Sequence, residues 1–175
     1  MKKRIFGIKV LAILTLLSIT GVNNVMADSV YSYQVLDNDN NYKQQDGEYN
    51  MYLGNWGYDT YYADYRGDHR LSQGGSMDIY YWKFKPKSGG RIFYAHLNNW
   101  EFTDTHATYG AIVDFSGSGG SMIPLSVIDQ HNAPGGWVPL NGSYVYSNYS
   151  HPWLTLMASN GGHAGADGAE VDFYN

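Results

Sequence analysis

Apolar and polar residues alternate with a period of two along several short stretches of the chain, most clearly over residues 79–97, IYYWKFKPKSGGRIFYAHL. In the first half Tyr80, Trp82 and Phe84 fall on one face, and Ile79, Tyr81, Lys83 and Lys85 on the other. In the second half Phe93, Ala95 and Leu97 oppose Ile92, Tyr94 and His96. Lysines alternating with large aromatic rings predict one wet face and one packed face, the pattern of an antiparallel pair half buried in a sandwich. Pro86-Lys87-Ser88-Gly89-Gly90 would fold the two runs back on each other, so the stretch predicts a central hairpin.

The same period predicts strands over 30–36, 48–53, 108–115, 122–128, 137–140, 144–149, 153–157 and 169–174. Residues 61–66 (YYADYR) read as a strand or extended segment, Gly54-Asn55-Trp56-Gly57 as a loop, and 67–75 as turns leading into the hairpin. Pro124 places 122–128, the partner of 108–115, at an edge or a bulge, and Asn141-Gly142 marks a turn. Double glycines beginning at 74, 89, 119, 135 and 161 punctuate the runs. No helical period lasts beyond two turns and no segment repeats, so an all-β fold is predicted: a two-sheet antiparallel sandwich of jelly-roll type.

Composition agrees, with 17 Tyr, 5 Trp, 6 Phe and 21 Gly in 175 residues. Cysteine is absent, so packing must hold the fold, with or without the help of a metal. Lys2, Lys3 and Arg4, an apolar run over 10–19 and Val25-Met26-Ala27 form the pattern of a cleaved signal peptide over residues 1–27, leaving 28–175 as one β-sandwich domain. The expectation is a secreted, extracellular protein, retained at a cell wall only by non-covalent contacts. Losing four cationic residues with the leader takes the formal charge from −5 to −9, which argues against nucleic acid or an anionic membrane as partner. No second apolar run is long enough for a membrane span.

The order of Asp37-Asn38, Tyr61-Tyr62-Ala63-Asp64-Tyr65-Arg66, Trp82-Lys83-Phe84, Gly89-Gly90-Arg91-Ile92-Phe93-Tyr94-Ala95, Gly136-Trp137-Val138-Pro139-Leu140 and Gly165-Ala166-Asp167-Gly168-Ala169-Glu170-Val171 resembles the golvesin C-terminal-like domain. That family resembles carbohydrate-binding-module sandwiches and is found as an appendage on bacterial exported enzymes such as xanthan-lyase-type proteins. The similarity covers nearly the whole mature chain. It departs at Asp167-Gly168-Ala169, where an Asp-Ala-Val strand is usual in the family. The resemblance implies a non-catalytic β-sandwich and points toward glycan binding.

For chemistry, Asp37, Asp39 and Asn41, with Glu48 further on, place oxygens at spacings like those of a calcium loop. Tyr42 stands where that loop needs glycine, and no helices flank it, so a polar turn competes with a structural calcium site; no other cofactor is expected. The six histidines show no metal-binding spacing and read as scattered surface or strand residues. Gly-x-Ser-x-Gly is absent. Glu101, Asp104, Asp114 and Asp129 could supply a glycosidase or lyase pair only if the fold brought two of them to one cleft.

Aromatic residues are the remaining signal, because the C–H face of a sugar stacks on indole and phenol rings while nearby polar groups bond its hydroxyls. Trp82 and Trp137 read as core by periodicity, and Trp153 is a candidate for it. Trp56 and Trp100, in polar glycine or asparagine contexts, read as exposed. With Tyr58, Tyr146, Tyr149 and His151 they form the candidate ligand-binding set. The function read from the sequence is a secreted module that binds extracellular or cell-wall polysaccharide through loop aromatics without catalysis. Its alternatives are a secreted factor that binds protein and, third, a polysaccharide hydrolase or lyase.

Overall fold

The computed structural model describes residues 30–38, 48–74, 78–97, 100–112, 122–141, 151–159 and 161–174. The leader, residues 113–115, and the turn and strand expected over 142–149 lie outside the described residues. The strands are β1 Val30–Leu36, β2 Tyr49–Leu53, β3 Trp56–Asp59, β4 His69–Ser72, β5 Ile79–Lys83, β6 Gly90–Leu97, β7 Ala107–Ile112, β8 Met122–Ile128, β9 Gly136–Pro139, β10 Trp153–Met157, β11 Gly165–Ala166 and β12 Ala169–Tyr174. One 3-10 turn, Tyr65–Gly67, interrupts them.

The architecture is an antiparallel β-sandwich. A four-stranded sheet, β1-β12-β6-β9, packs against a five-stranded sheet, β2-β5-β10-β7-β8, and a small sheet, β11-β4-β3, is the third. Alternation decides which side chains meet: Phe93, Ala95, Leu97, Val171 and Phe173 from the first sheet join Tyr80, Trp82, Tyr109, Leu154 and Leu156 from the second in one buried cluster. β8 is an edge strand, and its register against β7 shifts by one residue between Ser126 and Pro124, a setting that tolerates a residue without an N–H.

Residues 79–97 do not form a hairpin. β5 pairs with β2 and β10, whereas β6 pairs with β12 and β9, so the two runs belong to opposite sheets and Phe84 meets Phe93 across the core at 6.0 Å. The connection is held open by its neighbours: Phe84 N–H donates to Pro152 O, and Lys85 N–H to the Gln34 side chain. Alternation fixes the buried face of a strand but not its partner.

The segment expected to be strand at 61–66 is a closed loop, because Tyr61 N–H donates to Gly67 O, and Asp64 and Gly67 bond within it. Arg66 takes φ 62, a left-handed backbone no strand accommodates. Its flanks, expected to be loop and turn, are strands β3 and β4.

Candidate functional site

Three connections converge beyond the strand ends: the Tyr61–Gly67 loop, the segment from Trp100 to His106, and residues 129–136. Between them lies a groove of about 270 Å³ lined by Tyr61, Leu97, Trp100, Gln130, His131 and Gly135. Trp100 is 70% exposed and Tyr62 88%, and the Tyr61 and Tyr62 rings lie 4.6 Å apart. Just past Gly135, Trp137 packs edge-on to Tyr65 at 5.2 Å and to His96 at 5.1 Å.

These exposed rings stand on buried supports. Phe102, two residues after Trp100, is fully buried and lies so close to Gly165 that a Cβ there would sit 2.0 Å from its ring. His69 is also fully buried, stacked edge-on against Phe102 at 5.2 Å. Its Nδ1 lies 2.7 Å from Asp64 Oδ2 and its Nε2 3.4 Å from Glu101 Oε2, which joins the Tyr61 loop to the Trp100 segment. Burial alone would push the His69 imidazole down; the hydrogen bond and charge of Asp64, with Glu101 and Asp59 adding to it, outweigh burial and hold its pKa above the ordinary value.

A second buried pair supports the other side. Asp167 accepts from Tyr65 N–H at 2.9 Å and sits 2.7 Å from His96 Nδ1. Burial pushes the Asp167 carboxyl up, against the opposing pull of His96 and the Tyr65 N–H. Gln130, on the groove floor, donates to Tyr109 OH and Gly165 O and accepts from Gly165 N–H. It is a structural brace.

The candidate acids are committed locally. Asp104 is buried and accepts from the Ser159 and His106 N–H groups, Asp129 holds Asn132, and Glu101 faces His69. Asp114 lies outside the described residues. The histidines expected to be scattered include two hydrogen-bonded to buried carboxylates, a role that only the assembled loops create.

The expected ligand set is not brought together as one site. Trp100 is on the groove. Trp56 is not an exposed ring: it is 6% exposed, its N–H donates to Leu53 O and its ring packs on Tyr80 at 5.3 Å, because β3 turns it inward. Tyr58 is exposed on β3, with Arg70 over its ring at 4.9 Å and its hydroxyl on Asp68. His151 is half-buried, with Nδ1 3.4 Å from Phe84 O. Tyr146 and Tyr149 lie outside the described residues. Trp137, expected in the core, is 36% exposed, since β9 is an edge strand whose alternation turns it outward beside His96.

Sequence reasoning missed Tyr61, Tyr62, Trp137 and His131. The Tyr61-Tyr62 doublet was the available signal, since neighbouring rings in a strand must point to opposite faces. For the calcium set, Asp37 is buried, with its Oδ1 accepting from Asn38 N–H and Oδ2 3.6 Å from Arg66; Asp39 and Asn41 lie outside the described residues. Among the described residues no three His, Asp or Glu side chains cluster as metal ligands, and no helix is long and apolar enough to cross a membrane.

No family model and no curated protein matches the sequence. Among solved structures, a xanthan lyase from Paenibacillus matches with TM-score 0.60 at 16% identity, over 82% of this chain and 13% of that chain. An exo-β-1,3-galactanase from Phanerochaete chrysosporium matches with TM-score 0.47 at 16% identity, over 82% of this chain and 30% of that chain. A CBM35 from Cellvibrio japonicus matches with TM-score 0.48 at 12% identity, over 80% of this chain and 92% of that one. The first of these shows a shared fold along most of the chain, which spans about an eighth of the lyase's length.

Proposed function

We propose that this domain is a secreted, non-catalytic carbohydrate-binding module of golvesin-like type, holding extracellular or cell-wall polysaccharide in the groove beside Trp100. The observation that carries the reading is the 70% exposure of Trp100 next to Tyr61, on a segment pinned by Phe102 and His69. An indole left in water gains little for folding, whereas a pre-positioned one can stack on a sugar without first being ordered. The groove is smaller than most small-molecule pockets, as suits one ring of a chain whose neighbours run over the surface toward Tyr62 or Trp137. His131, exposed on the rim, supplies hydrogen bonds to hydroxyls. Matching a small part of a polysaccharide lyase supports the idea of an appended module, and the leader pattern supports export.

The test is retention of the purified domain on insoluble wall and exopolysaccharide preparations and in gels cast with soluble glycans. Trp100→Ala is expected to weaken retention by about tenfold, the worth of one stacked ring, with unchanged circular dichroism. Wild-type protein that binds no glycan, or a variant retained equally well, would overturn the reading. Binding to exported proteins in the same assay would favour the protein-partner alternative.

A further inference from the structure

We propose that Asp37, Asn38, Asn50 and Asp68 form a calcium site where β1, β2 and β4 meet. Asp37 and Asn38 directly follow β1, Asn50 lies in β2 and Asp68 immediately precedes β4. The four are interlocked. Asn38 Nδ2 donates to Asp68 O at 2.7 Å, Asn50 Nδ2 donates to Asp37 O, and Tyr80 OH donates to Asn38 O at 2.6 Å.

These bonds settle what each group has left. A main-chain carbonyl can only accept, so both amides must present their NH2 groups to it, and the orientation of each side chain is fixed. The three carbonyls are thereby engaged, and what remains on the buried Asn38 and Asn50 side chains is Oδ1. Neither of those oxygens, nor the buried Asp68 Oδ1, has a hydrogen-bond donor among the described residues. Buried acceptors without donors are rare and expensive, and three on residues bonded into one knot point to a cation as the missing partner.

Charge and donor type select the ion. Asp37 and Asp68 bring two negative charges to the knot. Facing them is Arg66, 64% exposed on its side chain, with Nε 3.6 Å from Asp37 Oδ2, beyond hydrogen-bonding distance. Carboxylate and amide oxygens, with no imidazole or thiolate in the set, suit calcium rather than zinc or copper. Half the set is neutral amide, which lets four oxygens gather around two charges. The site does not depend on the glycan reading.

Chelator-stripped full-length domain titrated with calcium chloride tests this. The unfolding midpoint should rise by about 5 °C at about 1 mM calcium, saturating near one ion per chain, while magnesium at that concentration gives less than about a third of the shift. Terbium luminescence, sensitised through Tyr80 and Tyr58, should appear on wild-type protein and be displaced by calcium. Asp68→Asn, which keeps shape and loses charge, should abolish both signals. Arg66→Gln should tighten calcium binding by removing a competing cation. Stripped wild-type protein with neither signal, signals that persist in Asp68→Asn, or an Arg66→Gln variant destabilised equally with and without calcium would overturn the site.

Discussion

At the scale of single residues, two tryptophans with similar neighbours have opposite fates. Asn55-Trp56-Gly57 and Asn99-Trp100-Glu101 both look like exposed polar loops. Trp56 instead opens β3, and pairing of Trp56 with Ser72 directs its ring onto Tyr80 in the core. Trp100 precedes Phe102, and it is Phe102 that fills the interior. Trp56→Ala should therefore cost about 3–5 kcal/mol in urea unfolding, the usual loss for a large buried ring. Trp100→Ala should change stability by less than about 0.5 kcal/mol. Equal losses at the two positions would mean that the Trp100 ring contributes to folding and is not held in reserve for a ligand.

At the scale of elements, the groove depends on a strand of two residues. β11 pairs with β4 through Gly165 and Ala166, and the missing side chain of Gly165 leaves the space that the Phe102 ring occupies. Gly165→Ala puts a methyl inside that ring's space, so the Phe102 anchor must shift and carry Trp100 with it. The expected result is a loss of about 1–3 kcal/mol in stability together with weaker glycan retention. A stable variant with normal retention would show that Phe102 does not position the loop.

This element also marks how far the sequence could be read. The strands over 30–36, 122–128, 153–157 and 169–174 were legible because each is a short alternating or largely apolar run of strand-forming residues. β11 is too short for any period to register, and the partners of β5 and β6 depend on contacts across the chain that alternation does not encode. The groove was half legible for the same reason: Trp100 stood out by composition, whereas Tyr61, Trp137 and the buried His69 are brought together only by the closed Tyr61–Gly67 loop and the outward turn of β9.

At the scale of the whole molecule, the pair that joins two of the groove's loops should make stability depend on pH. The His69 pKa in the folded domain lies above its ordinary value, because Asp64 and Glu101 favour the charged ring more than burial opposes it. Such a group binds its proton more tightly folded than unfolded, so its contribution is complete below the unfolded pKa of about 6.5 and is lost as pH rises through the higher folded value. Asp167, also raised, acts with the same sign, but its window begins near the ordinary carboxylate range and lies further to the acid side. Tyr94 and Tyr109 are raised chiefly by burial and act only above the ordinary tyrosine pKa of about 10. From the unfolded value of about 6.5 up through the folded one the slope should therefore belong to His69, and the unfolding midpoint should fall across that interval. His69→Gln should lower the midpoint at every pH and flatten the slope, which separates a lost charge from a lost side chain. Deprotonation also removes the attraction that ties Glu101 to the ring, so glycan retention should weaken over the same interval in wild type and not in the variant. A midpoint that rises with pH, or a slope that survives the substitution, would mean that the charge on His69 does not hold the two loops together.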